Sequence, residues 1–236
     1  MDEKKTRRTA VYIDGYNLYY GRLRGTAFKL LDLPLLFDRL LAIQDPLATL
    51  VAVKFFSATA LGNFASHGQL SVESQDSYHR ALAARHPDRF SIKLGTHSMD
   101  RNGSWMPAFV DGQRFDRKVQ TRVWRIEEKK TDVNLAMSMY RDICKGLYGQ
   151  VVLCSNDSDA EPVLEALRED FPELVIGIVT PVKPPTGEAA SRRHSASLAR
   201  HAHWTRRYIL DEELAGAQLP PVVPTKKKPI RKPTHW

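Results

Sequence analysis

Strand-like and helical patterns alternate along this chain, and that alternation leaves few architectures open. Short runs rich in β-branched and aromatic residues occur at AVYID, TLVAVKFFSA, FSIKLGTH, QVVLCSN, LVIGIVTP and RRYIL. Between them lie LPLLFDRLLAI, SQDSYHRALAARH, TDVNLAMSMYRDIC, AEPVLEALREDF and SRRHSASLARHAHW, each with apolar residues at helical spacing. Strands separated by helices need crossover connections, which place the strands parallel and the helices on the faces of the sheet. The expected fold is therefore α/β, a Rossmann-like three-layer sandwich around a mostly parallel central sheet. One stretch breaks the alternation. Ser98 to Arg122 reads as a long excursion, in part a hairpin, carrying Trp105, Phe109 and Phe115.

In open parallel sheets, ligands bind beyond the C-terminal ends of the strands. Three acidic places fall there. Asp14 terminates AVYID, Asp157 and Asp159 follow QVVLCSN, and Asp132 opens the helix that precedes that strand. Each also has an ordinary reading. Asp-Gly after a strand is turn chemistry. Asp132 suits a helix N-terminus behind Thr131, and Ser158 with Glu161 fits a capping box. Taken together, the acids point to one edge, where like charges raise one another's pKa unless a cation neutralises them. Mg²⁺ or Mn²⁺ accepts such oxygen ligands. One or two such ions activate water and stabilise charge on a phosphodiester. Asn17, one turn beyond Asp14, would support a metal-bound water or a phosphate oxygen. Lys129, Lys130 and Asn156 are the candidate substrate contacts, although RIEEKKTD also reads as a solvated charged segment.

Composition sets outer bounds. A hydrophobic fraction of 42% supports a packed core, and no apolar run approaches the ~20 residues that cross a bilayer. The charged start MDEKKTRRTA does not read as a signal peptide. Cys144 and Cys154 lie in apolar stretches without metal-ligand spacing, and are expected to be reduced core residues of a cytoplasmic protein. The formal charge is +8, and removing the five basic residues of TKKKPIRKPTHW leaves 8 − 5 = +3. That end follows LPPVVP and is expected to be extended and mobile, suited to a polyanion or simply solubilising. The expected organisation is a basic arm over residues 1–8, a domain over 9–211 with the 98–122 insertion, and a Pro/Lys-rich tail over 212–236.

Three segments in order, YIDGYNL, EEKKTDVNLA and VVLCSNDSDAEPVLEAL, resemble the NYN-domain branch of the PIN-like nucleases. The correspondence runs from about Thr9 to Ile209. It rests on Asp14-Gly15-Tyr16-Asn17, on Lys129-Lys130-Thr131-Asp132-Val133, and on Ser155-Asn156-Asp157-Ser158-Asp159. The resemblance implies a metal-dependent ribonuclease. Asp14, Asp132, Asp157 and Asp159 would be the catalytic, metal-binding acids and Asn17 a polar supporter, with single-stranded RNA as partner. Asn156 departs from the Gly common there, and Ala160 from a larger apolar residue. A non-catalytic RNA-binding module of the same fold is the alternative. A haloacid-dehalogenase-type phosphatase would need an acid where Tyr16 stands, and a Toprim fold would need a Glu after an earlier strand. Self-association, as a homo-oligomer, is compatible with the sequence.

Overall fold

A computed structural model describes residues 6–185, 194–226 and 228–236. The first strand, β1 (Arg7–Asp14), is buried from Thr9 onward, as a strand covered on both faces should be. It turns through α1 (Gly15–Leu18) and a π-helical turn (Tyr19–Leu23) into α2 (Leu33–Gln44). Asp32 caps α2 by accepting from Leu35 N at 3.2 Å, and Pro34 occupies its first turn. Then come β2 (Ala48–Ala58), α3 (Gln69–Arg85) and β3 (Phe90–Met99). The excursion that follows holds β4 (Ser104–Pro107) and β5 (Gln120–Val123), an antiparallel pair, before β6 (Ile126–Lys129). The second half runs α4 (Thr131–Cys144), β7 (Gln150–Cys154), α5 (Glu161–Asp170) and β8 (Val175–Val179). It closes with α6 (Ala196–Ala199), β9 (Trp204–Arg206), α7 (Asp211–Gly216), β10 (Val222–Val223) and β11 (Ile230–Arg231).

The main sheet has seven strands in the order β6-β3-β2-β1-β7-β8-β9. Every neighbouring pair is parallel except β3–β6. Two apolar cores sandwich it. Val11 and Ile13 of β1 pack with Leu36 and Phe37 of α2, Leu82 of α3 and Leu214 of α7. Ala10 and Tyr12, on the opposite face, pack with Leu135 and Met139 of α4 and Leu164 of α5. The α/β character and the mostly parallel sheet read from the alternation are both present. From β1 the chain steps to β2 and β3, then returns to the other side at β7. The β1/β7 boundary is thus the topological switch point, where a crevice forms at the strand ends.

Four expectations need correction. Residues 212–236 are not a loose tail: Leu214, Ala217, Leu219 and Val223 are buried, β10 pairs with β11, and Leu219 N donates to Leu30 O at 2.8 Å. The apolar residues interleaved with the prolines had a core to join. Cys144 is exposed at the end of α4, while Cys154 is buried in β7. The strand expected at RRYIL lies earlier, at Trp204–Arg206, because pairing with Gly177–Val179 of β8 sets its register. The helix expected over 191–204 is limited to α6 among the described residues. Residues 191–193 of that pattern, most of the N-terminal arm (1–5) and Lys227 of the basic end lie outside the described residues. No described helix is long and apolar enough to cross a membrane.

Candidate functional site

The sheet brings the four expected aspartates to one edge. Asp14 ends β1 and is only 4% exposed. Asp157 caps a 3₁₀ turn (Ser158–Ala160) just beyond β7, directly across the switch point, and its Oδ1 accepts from Asp159 N at 3.1 Å. Asp132 sits in the first turn of α4. Its carboxyl is pushed up to about 6, first by partial burial and then by the charges of Asp14, Asp157, Glu128 and Asp159. Burial also raises Asp14, against the lowering effect of its hydrogen-bond donors.

The oxygens of Asp14 are largely committed to the protein. Oδ1 accepts from Asn17 N at 3.0 Å, and Oδ2 accepts from Asn17 Nδ2 at 2.6 Å and Ser155 Oγ at 3.0 Å. Asn17 Oδ1 in turn accepts from Asn156 N at 3.3 Å, and Asn156 Oδ1 accepts from Ser195 N at 2.7 Å. The Asp-Gly-x-Asn turn is therefore a strap tying β1 to the loop after β7. The two lysines do other work. Lys129 pairs with Glu127, and Lys130 holds a left-handed backbone (φ 78°) at the start of α4. Among the described residues, no group of three or more His, Cys, Asp or Glu side chains is placed to hold a metal ion.

A raised carboxyl makes a testable mark on stability. The folded state binds the Asp132 proton more readily than the unfolded state, so stability falls as pH rises from about 4 to about 6 and stays reduced above that. Asp132→Asn removes the repulsion. Thermal melts at pH 8 are expected to show the variant more stable than the parent, by about 0.5 kcal/mol after solvent screening. The two curves should converge near pH 4. A variant less stable at pH 8 would show that the acids do not repel.

Beside the acids lies a cavity of about 610 Å³, a size that suits one small ligand. It opens at the C-terminal ends of β1 and β2, and its lining includes Tyr16, Tyr20, Phe55, Tyr78, His97 and Trp236. Tyr16 and Tyr20 stack with centroids 5.9 Å apart, and Tyr16 Oη lies 2.9 Å from His97 Nε2 on β3. Burial, with Tyr20 and Glu128 nearby, pushes the Tyr16 hydroxyl up to about 12. Burial lowers His79 to about 4, so its ring is neutral at ordinary pH. Glu128 belongs to both regions: it lines the cavity and also raises Asp132.

Sequence reasoning missed this cavity. A signal existed in the spacing of Tyr16, Tyr19 and Tyr20, which share one face of the first helical turns. None existed for Trp236, which reaches Tyr78 from the far end of the chain (centroids 5.8 Å). Trp105, Phe109 and Phe115 are exposed on the β4–β5 excursion, at 63%, 91% and 82%, and none of them lines the cavity.

No family model matches the chain. A curated relative, the 6-hydroxy-3-succinoylpyridine 3-monooxygenase HspA of Pseudomonas putida, is 35% identical over 245 residues, spanning 97% of this chain and 75% of that protein. A solved structure of a protein of unknown function from Vibrio parahaemolyticus superposes with a TM-score of 0.51 at 15% identity, covering 90% of this chain and 98% of its own. The latter bears on the fold alone. The relative corrects the sequence reading. A monooxygenase is an oxidoreductase, so the expected metal-dependent ribonuclease, and with it the hydrolase chemistry and the Mg²⁺ or Mn²⁺ cofactor, is overturned. A relative that is an enzyme also opposes the non-catalytic reading. The misreading has a physical origin: acids at a switch point look alike whether they bind a cation or brace a turn.

Proposed function

This chain belongs to the family of the 6-hydroxy-3-succinoylpyridine 3-monooxygenase HspA, and we propose that it is an oxidoreductase inserting one oxygen atom into a hydroxylated, nitrogen-containing aromatic ring. The relatedness over 97% of the chain carries this reading. The aromatic-walled cavity beside the acids supports it by offering a place for such a ring. We also infer kinship with the NYN-domain fold, as a three-layer sandwich. The three motifs and the β3-β2-β1-β7-β8 order support it. Its scaffold would here carry different chemistry.

The balance of the reaction is simple. On the substrate named for the relative, C3 already carries the succinoyl chain, so oxygen entering there displaces it. One atom of dioxygen becomes the oxygen on C3, and the other leaves as water with two protons and with two electrons from a reduced nicotinamide. The bond from C3 to the acyl carbon breaks, and the acyl chain takes a hydroxyl from water and leaves as a carboxylic acid. A flavin dinucleotide seated at the β1 turn does not fit these residues. Gly-rich turns that hold a pyrophosphate leave open backbone facing the phosphates. Here a Cβ on Gly15 would lie 2.5 Å from Phe55 Cζ and 2.8 Å from Phe56 O, so that space is already filled. What the chain itself supplies is ring binding and proton handling. Stacked Tyr16 and Tyr20 offer a face for the substrate. The Tyr16–His97 pair offers a hydrogen bond to a ring hydroxyl or nitrogen. Asp132, titrating at about 6, is tuned to exchange a proton near neutral pH.

Purified protein supplied with 6-hydroxy-3-succinoylpyridine, reduced nicotinamide, with and without added free flavin, and ¹⁸O₂ tests the reading by mass spectrometry. One ¹⁸O atom per product ring is expected. Products labelled only from water, or no turnover under either condition, would overturn it.

A further inference from the structure

The cavity wall is mostly apolar, but its lining includes one carboxylate, Glu128, and two cations, Arg24 and Lys29. Glu128 lines it beside the Tyr16–His97 pair, and is engaged by Thr131 through the backbone N (3.2 Å) and the hydroxyl. Arg24 and Lys29 line it beyond the π-helical turn that follows α1. Among the described residues neither has a carboxylate partner. The Arg24 guanidinium lies over the Tyr20 ring, 5.5 Å from its centroid. Four cations elsewhere in the fold are each paired with an acid: Arg22 with Asp211, Lys54 with Asp142, Arg85 with Asp32 and Arg206 with Glu213. Two cations left without an acid at the rim of an aromatic cavity are suited to an incoming anion.

We propose that the cavity takes an aromatic ring bearing a carboxylate side chain, with Arg24 and Lys29 as the specificity-determining residues that hold the carboxylate. This rests on the reading of the cavity as the substrate site. A guanidinium offers two parallel N–H donors to a carboxylate, and an ammonium adds a point charge from a second direction. With the carboxylate held at the rim, the ring lies against Tyr16 and Tyr20 and its polar edge turns toward Glu128 and His97. A neutral side chain would keep the ring contacts and lose the anchor. Arg24 is exposed and Lys29 half-buried, so both can be changed without opening the core.

Isothermal titration of the full chain tests the assignment, comparing 6-hydroxy-3-succinoylpyridine with its neutral primary amide. The parent is expected to bind the acid about tenfold or more tightly than the amide, in line with charge-assisted hydrogen bonds. The double variant R24Q/K29Q should lose the acid preference and bind both compounds alike, with a melting profile like the parent's. Equal binding of acid and amide by the parent, or an undiminished acid preference in R24Q/K29Q, overturns the anchor and leaves the monooxygenase reading standing. An acid preference abolished in the variant, combined with no ¹⁸O transfer by the parent, supports the anchor and overturns the monooxygenase reading alone. Failure of the parent to bind either compound overturns the anchor and the cavity's assignment as the substrate site together.

Discussion

Asp142→Ala is expected to cost about 3–5 kcal/mol of folding stability, read from the midpoint of urea unfolding. Asp142 lies in α4 and is nearly buried, and it joins that helix to two central strands. Its Oδ2 accepts from Tyr12 Oη on β1 at 2.6 Å and pairs with Lys54 Nζ on β2 at 2.5 Å. Removing the carboxylate leaves the Tyr12 hydroxyl without an acceptor beneath the sheet and Lys54 without its counter-charge. A polar group stranded in that way carries its full desolvation cost. Lys54 keeps a partial route to solvent, its side chain being 23% exposed, which places the expected loss toward the lower end. Tyr12→Phe removes both the donor and the need for it, so it should cost about 1 kcal/mol. A loss below about 1 kcal/mol for Asp142→Ala would show that the network is not what holds α4 to the sheet.

Gly15→Ala is expected to reach the site as well as the fold. A Cβ there would approach Phe55 Cζ at 2.5 Å, Phe56 O at 2.8 Å and Ser57 Cβ at 3.0 Å. Phe56 O is backbone of β2, so rotating a side chain does not clear the clash, and the turn must shift away from the strand. Overpacking of that kind costs about 1–3 kcal/mol. Phe55 and Ser57 also line the cavity, and the displaced turn carries Tyr16. Binding of 6-hydroxy-3-succinoylpyridine, measured by titration on the still-folded variant, should weaken about tenfold or more, because a small misplacement of positioning groups is costly. Unchanged affinity together with unchanged stability would show that the turn tolerates the methyl group and is not what places Tyr16.

The acids of the switch point were legible in the sequence because strand ends can be read from local pattern, and the rule that ligands gather there does not need coordinates. Their purpose was not legible. Asp14, Asn17 and Ser155 stand in positions that suit a metal centre, yet they satisfy one another by hydrogen bonds. Whether a carboxylate faces an ion or a neighbouring amide depends on side-chain geometry, which residue type and spacing leave open. The C-terminal segment is a second case. Its prolines and lysines have the composition of a solvated tail, but Leu214, Leu219 and Val223 find an unfilled part of the core against Leu30, Leu31 and Leu33.

Local chemistry by itself determined which segments of this chain become helix or strand and on which side of the sheet their polar ends collect, since periodicity and burial act over a few residues. Only the tertiary structure decided that Tyr16, Phe55, Tyr78 and Trp236 enclose one cavity, and that Arg24 and Lys29 line it without a carboxylate partner among the described residues. Those residues lie as far as 220 positions apart (236 − 16), and crossovers on either side of β1 bring them together. Enclosing a cavity is a matter of distances across the fold, and no local preference encodes it.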